Sequence, residues 1–328
     1  MSKANLGKLN KKTFYLFLFL SLLIIQLNAQ IVPHNTNWKL SVEPFIGITG
    51  GTIYESLYSA EILEHKNSLL EWNMSPLYVY GLNIKGGYKN FSLSLDVTNA
   101  LPVYCGKMYD SDWLPDGTKF CYGIQEEFAE ENYNFNLSAF YDFYITNYFI
   151  ISPKTSLQYS FNSFQAKNGY GWYGLPDYTT DGQYHSWDSL YSRYFPPTSG
   201  MQGIHYFQES FFVFVGTQFE YNINEKLKFS ITPEVSCYSY TIYEDHHQNS
   251  LGGIKEYGIT KSIFNAFKIE SLFSIKLNKF IELATKFNGA FMLETKGDLY
   301  CGSMLEDKKI STSLFNFNIF TGCSIIVF

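Results

Sequence analysis

Strict alternation of apolar and polar residues runs through much of this chain. In Phe91-Ser-Leu-Ser-Leu-Asp-Val-Thr98 the odd positions are apolar and the even ones polar. Tyr133-Asn-Phe-Asn-Leu-Ser-Ala139 and Leu227-Lys-Phe-Ser-Ile-Thr232 repeat the pattern. A period of two places successive side chains on opposite faces of a strand, and a helix cannot produce it. Short connections carrying Gly, Asn or a charge separate such runs at 87–90, 146–147, 222–225 and 277–279. Longer polar stretches fall near 56–68, 105–131, 164–203, 244–257 and 298–312. Four short turns alternating with five long loops predict an all-β fold of ten antiparallel strands. That is the even number of a bacterial outer-membrane barrel, with short periplasmic turns and long extracellular loops.

Composition decides which face of these strands meets lipid. Aromatic residues make up 19% of the chain, with 30 Phe and 27 Tyr, while charged residues reach only 16%. A soluble domain carries about 25% charge. A transmembrane barrel has an apolar outer band and aromatic girdles, so it is rich in Phe and Tyr without any long apolar segment. The net charge of −6 argues against nucleic acid as a partner. At the N-terminus Lys3, Lys8, Lys11 and Lys12 precede an apolar run from Phe14 to Leu27. That run is shorter than the roughly 20 residues of a membrane-spanning helix. Leu27-Asn28-Ala29 then offers a cleavage site, so residues 1–29 read as an export signal and 30–328 as one domain. The closing Ile326-Val327-Phe328 fits a last strand running to an aromatic terminus. The five cysteines show no metal-binding spacing. Cys105 and Cys121 could pair in an oxidising compartment; the alternative is that the cysteines are small apolar wall residues, Cys237 and Cys323 especially. No cofactor or metal is expected.

Two clusters stand apart from the Tyr-, Gly- and Asn-rich loops. Met108-Tyr-Asp-Ser-Asp-Trp113 tops the third strand, and Tyr243-Glu-Asp-His-His247 tops the seventh. Each puts ionisable residues at i and i+2, which share one face of a strand. Odd positions of the third strand are apolar, so Asp110 and Asp112 point into the lumen if the register persists. Along the seventh strand Phe229, Ile231 and Val235 are odd and apolar, yet Tyr238, Tyr240 and Ile242 are even. A bulge near Cys237-Tyr238 produces such a slip and turns Asp245 and His247 inward. Strands three and seven lie opposite each other in a ten-strand barrel, so the two pairs would face across its mouth. A histidine can act as a base near neutral pH, Asp245 can orient it, and two close carboxylates can share a proton. Water held between them could attack a peptide carbonyl without a covalent intermediate. The plain alternative is that an Asp-x-Asp is a solvated turn and that lumen charges belong to a porin.

At these residues the chain resembles the omptin family of outer-membrane proteases. Met108-Tyr-Asp-Ser-Asp-Trp113 is similar to the family's M-x-D-x-D-W, and Asp245-His-His247 to its D-x-H. Leu70-Glu-Trp72 resembles its L-D-W, and Ser163-Phe-Gln-Ala-Lys-Asn-Gly169 its S-F-x-A-[RK]-x-G. The resemblance implies a monomeric ten-stranded barrel whose site faces the cell exterior. It implies an aspartyl-type endopeptidase in which Asp110 and Asp112 polarise water, His247 is the base and Asp245 orients it. His246, of opposite phase, is the decoy. It further implies polypeptide substrates with basic residues, held by an acid at Glu55 and a second at the position of Tyr243. The missing second acid points to a weaker or altered basic preference. Outer-membrane lipid is the expected surroundings, but Phe161 and Phe207 stand where basic residues would grip lipopolysaccharide. The competing function is a non-catalytic porin or adhesin on the same scaffold.

Overall fold

In the computed structural model, residues 38–59, 65–197, 202–247, 255–301 and 304–326 are described, and they contain strands but no helix. The expected export signal and the terminal Phe328 lie outside the described residues. The strands are β1 (Trp38–Tyr58), β2 (Lys66–Tyr88), β3 (Phe91–Ala100), β4 (Tyr104–Trp113), β5 (Lys119–Tyr141), β6 (Phe143–Tyr144) and β7 (Phe149–Tyr173). They continue with β8 (Arg193–Phe195), β9 (Gln202–Asn222), β10 (Leu227–His247), β11 (Lys255–Ser262), β12 (Ala266–Lys276), β13 (Ile281–Cys301) and β14 (Met304–Ile326). All pair antiparallel with sequence neighbours, and β1 pairs with β14 to close the barrel. Because β3 runs on into β4 and β11 into β12 along single walls, and β6 and β8 only extend the sheet beside β7, the barrel has ten walls.

The four short turns fall where the sequence places them, and in two of them an asparagine explains why. Asn224 Oδ1 accepts from the backbone N–H of Lys226 and Leu227 at 2.8 and 2.9 Å, and Asn278 Oδ1 does the same for Phe280 and Ile281 at 2.8 and 3.0 Å. The side chain thereby supplies the acceptor that a tight turn takes from its own backbone. Above these turns an outward band of Ile46, Leu93, Leu137, Phe229, Phe287 and Phe317 is exposed, the face a bilayer covers.

Two of the five expected long loops, 105–131 and 298–312, are mostly strand among the described residues. Most walls run 21–25 residues. At roughly 3.3 Å per residue and a tilt near 40°, that is on the order of 50 Å, about twice the height of an apolar band. The stretch near 105–131 is a hairpin, paired from Tyr104–Phe128 up to Trp113–Lys119. Above the membrane the outer face meets water, so the polarity of the alternation inverts and the sequence reads as loop. Here the inward residues are apolar. Ile53, Trp72, Met108, Phe164, Tyr206, Leu299 and Ile310 form a core inside the barrel, each at most 1% exposed. At this level the lumen is filled by an apolar plug rather than lined by polar side chains. Below it the lumen is polar and cross-braced, with Lys154 and Lys268 bonded to Glu234 at 2.9 and 3.1 Å and Lys286 to Asp96 at 3.5 Å. The space left among these side chains is about 190 Å³.

Candidate active site

The site sits on the apolar plug, at the end of the barrel away from the short turns. Asp110 and Asp112 are carried by β4, which is held by β5 through a tight connection. Leu114 N–H donates to Thr118 O at 2.9 Å, Asp116 Oδ1 accepts from Thr118 N–H at 2.8 Å, and Gly117 adopts φ 86°. A Pro-Asp-Gly sequence is suited to such a reversal. The inward parity of the two aspartates survives only because two irregularities cancel. The chain breaks between β3 and β4 at Leu101–Val103, which turns Tyr104 outward and Cys105 inward. A bulge between Tyr104 and Gly106 then restores even positions to the lumen. On β10 the register with β9 slips between Ser236 and Tyr238, leaving Cys237 as the extra residue. Beyond that bulge Tyr243 and Asp245 are buried at 1% and 2% exposure, and His247 shares their face.

His247 Nε2 lies 3.2 Å from Asp245 Oδ2. That hydrogen bond, opposed by burial and reinforced by the charges of Asp245, Asp110 and Glu256, pushes the imidazole up to about 9. The decoy is separate: His246 points outward, bonded to Glu244, which also meets Lys255 at 3.6 Å. Asp110 and Asp112 lie opposite, each within electrostatic reach of His247. Burial and the charge of Asp112 raise Asp110 to about 8. Asp112 is also raised by burial, but hydrogen bonds from Ser68 and the Cys121 thiol hold it down. The donors therefore favour the ionised form of Asp112 and leave the shared proton on Asp110. Cys121 in turn receives the Tyr173 hydroxyl. The oxygens of Asp110 and Asp112 and the Cys121 sulfur lie within 4.8 Å of one another, a three-donor cluster in which the thiol is occupied as a hydrogen-bond donor. Both Cys105 and Cys121 are free thiols, so the structure does not contain the disulfide between them; Cys105 faces Glu127 instead.

Glu55 and Tyr243 form a second grouping. Glu55 is 3% exposed on β1, in register with Leu70 and Thr312. Among the described residues, neither its buried Oε2 nor the buried Tyr243 hydroxyl has a hydrogen-bond partner. Burial, Asp245 and Glu256 hold the Glu55 carboxyl well above the usual range. Gly258 on β11 stands opposite Tyr243, and a Cβ there would lie 2.4–2.5 Å from the phenol, so the glycine makes room for the ring. Sequence reasoning missed three participants. Glu256 pairs with Asp245 across β10 and β11 and acts on both Glu55 and His247. Ser68 and Cys121 pair in register with Asp112 from both sides. Nothing in their local sequence marks them, since only cross-strand register brings them to the aspartate. On the outer wall Phe161 and Phe207 lie 6.3 Å apart, with His205 against Phe207 and bonded to Glu130 at 2.7 Å.

An arrangement of this kind can hold water between an imidazole and a half-protonated carboxylate pair, beside a pocket with unmet polar capacity. A model described as the Omptin family matches residues 36–310. The crystal structure of the outer membrane protease OmpT from Escherichia coli superposes with a TM-score of 0.75 at 16% identity, covering 90% of this chain and 99% of that one. The toluene transporter TbuX of Ralstonia pickettii reaches only 0.31 at 7% identity, over 89% and 90% of the two chains. No curated protein sequence matches significantly.

Proposed function

The chain belongs to the omptin family and is an outer-membrane protease, and from that premise we propose that it is an endopeptidase using an Asp/His-activated water at the extracellular rim. The observation that carries this reading is the approach of two unlike couples over one apolar floor: Asp110 with Asp112, and Asp245 with His247. In this mechanism neutral His247 takes a proton from water as it attacks the peptide carbonyl. Asp245 stabilises the imidazolium that forms, and His247 then returns that proton to the departing amine as the C–N bond breaks. Asp110, carrying the shared proton, donates a hydrogen bond to the developing oxyanion. Ionised Asp112, fixed by Ser68 and Cys121, orients the attacking water. The long strands lift this site beyond the apolar band on the side opposite the short turns, which supports an exterior orientation.

Glu55 supports a preference for Lys or Arg beside the scissile bond. Burial and the neighbouring charges hold the Glu55 carboxyl above its usual range, and an entering ammonium or guanidinium lowers it again while meeting the Glu55 Oε2 and the Tyr243 hydroxyl, whose unmet hydrogen bonds each cost about 1–3 kcal/mol. Glu256 supplies the second negative charge that Tyr243 does not. The plug and the braced lumen beneath it support an enzyme over a passive pore. The test is to incubate refolded protein with a peptide library and map the cut bonds. Cleavage abolished by His247→Ala and retained by His246→Ala supports the reading; the reverse pattern, or no cleavage by wild type in any lipid, overturns it.

A further inference from the structure

The wall opposite Glu55 carries an open pocket of about 650 Å³ that reaches both Asp110 and His247. Glu55 belongs to the β14-β1-β2 side of the mouth, whereas this pocket is built from β5, β7, β9 and the connection after β7. Three aromatic rings shape it. Tyr173 and Phe195 meet edge to face at 5.3 Å, Tyr178 and Phe195 at 5.1 Å, and Tyr173 and Tyr178 at 6.0 Å. Its floor is glycine. A Cβ on Gly123 would stand 3.4 Å from the Asp110 Cβ and 3.8 Å from the Tyr173 hydroxyl, in the space between catalytic pair and aromatic wall. Asp110 and His247 are the charged groups among the described lining residues. Arg193 lies over the Phe195 ring at 5.0 Å, placing a positive charge where a basic side chain would have to approach.

We infer that this pocket is the second specificity site and receives an aromatic or large aliphatic side chain from the residue across the scissile bond from the one held at Glu55. The inference rests on the proposed peptide hydrolysis. A peptide lying across the mouth with its scissile carbonyl between Asp110 and His247 sends neighbouring side chains to opposite walls, since alternation puts successive residues on opposite sides of an extended chain. One wall offers a buried carboxylate and the other an aromatic slot. Rings already packed edge to face present both faces and edges for a further ring. Tyr173 also joins the pocket to the chemistry, because its hydroxyl donates to Cys121, which donates to Asp112. A side chain seated against Tyr173 therefore touches the same network that sets the proton on the aspartates.

The experiment has two arms. In the first, peptides with Lys at one side of the cut bond carry Phe, Leu, Gly or Lys at the other, and kcat/KM is measured for the full barrel in detergent. Phe is expected to exceed Gly by about 30-fold, a ratio in the range apolar pockets achieve. Phe195→Ala and Tyr178→Ala should each remove most of that ratio, read as the Phe-to-Gly quotient within each variant, and Phe195→Leu should restore part of it. In the second arm, fluorescence anisotropy measures binding of labelled Phe and Gly peptides whose scissile bond is replaced by a reduced amide. Cleavage without a Phe preference, or with a Lys preference, overturns the inference and leaves the hydrolase reading standing. Absence of cleavage with a Phe preference in binding, lost in Phe195→Ala, overturns the hydrolase reading and keeps the pocket. Absence of preference in both arms overturns the inference.

Discussion

Replacing Asp245 by Asn separates two jobs that the carboxylate performs on His247. The wild-type imidazole titrates near 9 because the Asp245 hydrogen bond and charge favour the imidazolium. A base must be neutral to accept a proton while Asp110 must keep its own near 8, so activity should climb with pH to about 8, stay level to about 9 and fall above it. At pH 7.4 a group titrating at 9 is only about 2–3% neutral, against about 90% for an ordinary histidine near 6.5. Bound substrate brings a cation towards Glu55 and Glu256 and offsets part of this penalty. In Asp245→Asn the acidic limb of kcat/KM should move from near pH 8 towards 6.5, enlarging the neutral fraction. The plateau should nevertheless fall by roughly 10²–10⁴-fold, because the imidazolium formed in the transition state has lost its partner. Stability supplies a second reading. A pKa raised on folding adds stability that is complete below about pH 6.5 and is lost as pH climbs through 9. Thermal unfolding of the wild type should lose that contribution over this window, and the variant should not. A variant with an unmoved limb, or with an undiminished plateau, would refute the assignment of His247 as base and Asp245 as its partner.

Other outcomes follow from the same geometry. Glu256→Gln should raise KM for Lys-containing peptides about tenfold with kcat little changed, since one charge facing a cation is worth roughly 1–3 kcal/mol in a partly buried site; initial-rate kinetics decide it. Tyr243→Asp should move mapped cut sites towards Arg and lower the melting temperature, because it adds a carboxylate but empties the space the phenol filled. Gly258→Ala should destabilise by about 1–3 kcal/mol in denaturant titration, through collision with the Tyr243 ring and Ile310. Cys121→Ser should keep near-wild-type activity by preserving a donor to Asp112, whereas Cys121→Ala should lower kcat, as measured on one peptide.

Much of the architecture was legible because lipid enforces it. Inside the apolar band every wall must alternate, so ten walls and four turns could be read from period two and asparagine alone. Above the band the constraint reverses sign, so Met108 and Phe164, which point inward, fell in stretches that read as loop. The bulge at Cys237 was readable because Tyr238 and Tyr240 shift the apolar phase on a strand that stays regular on either side. The break at 101–103 and the bulge near Cys105 were invisible because they restore the parity they disturb. Asp110 was thus placed inward by an argument whose intermediate step, an unbroken strand, does not hold. Glu256, Ser68 and Cys121 could not be found from one sequence, since pairing across strands is a property of register and not of local composition. Tyr243 could be read as a missing acid, but not that a neighbouring strand supplies a charge nearby.

The pairing of β1 with β14 has a consequence for biogenesis. Glu55 comes from the first wall and Thr312 beside it from the last, while the two acid-base couples come from the third and seventh. A chain still open at that seam possesses all the reactive groups but no cleft, for the couples are apposed only when the sheet curls shut. On the proposed mechanism, proteolytic competence therefore requires the closed ring.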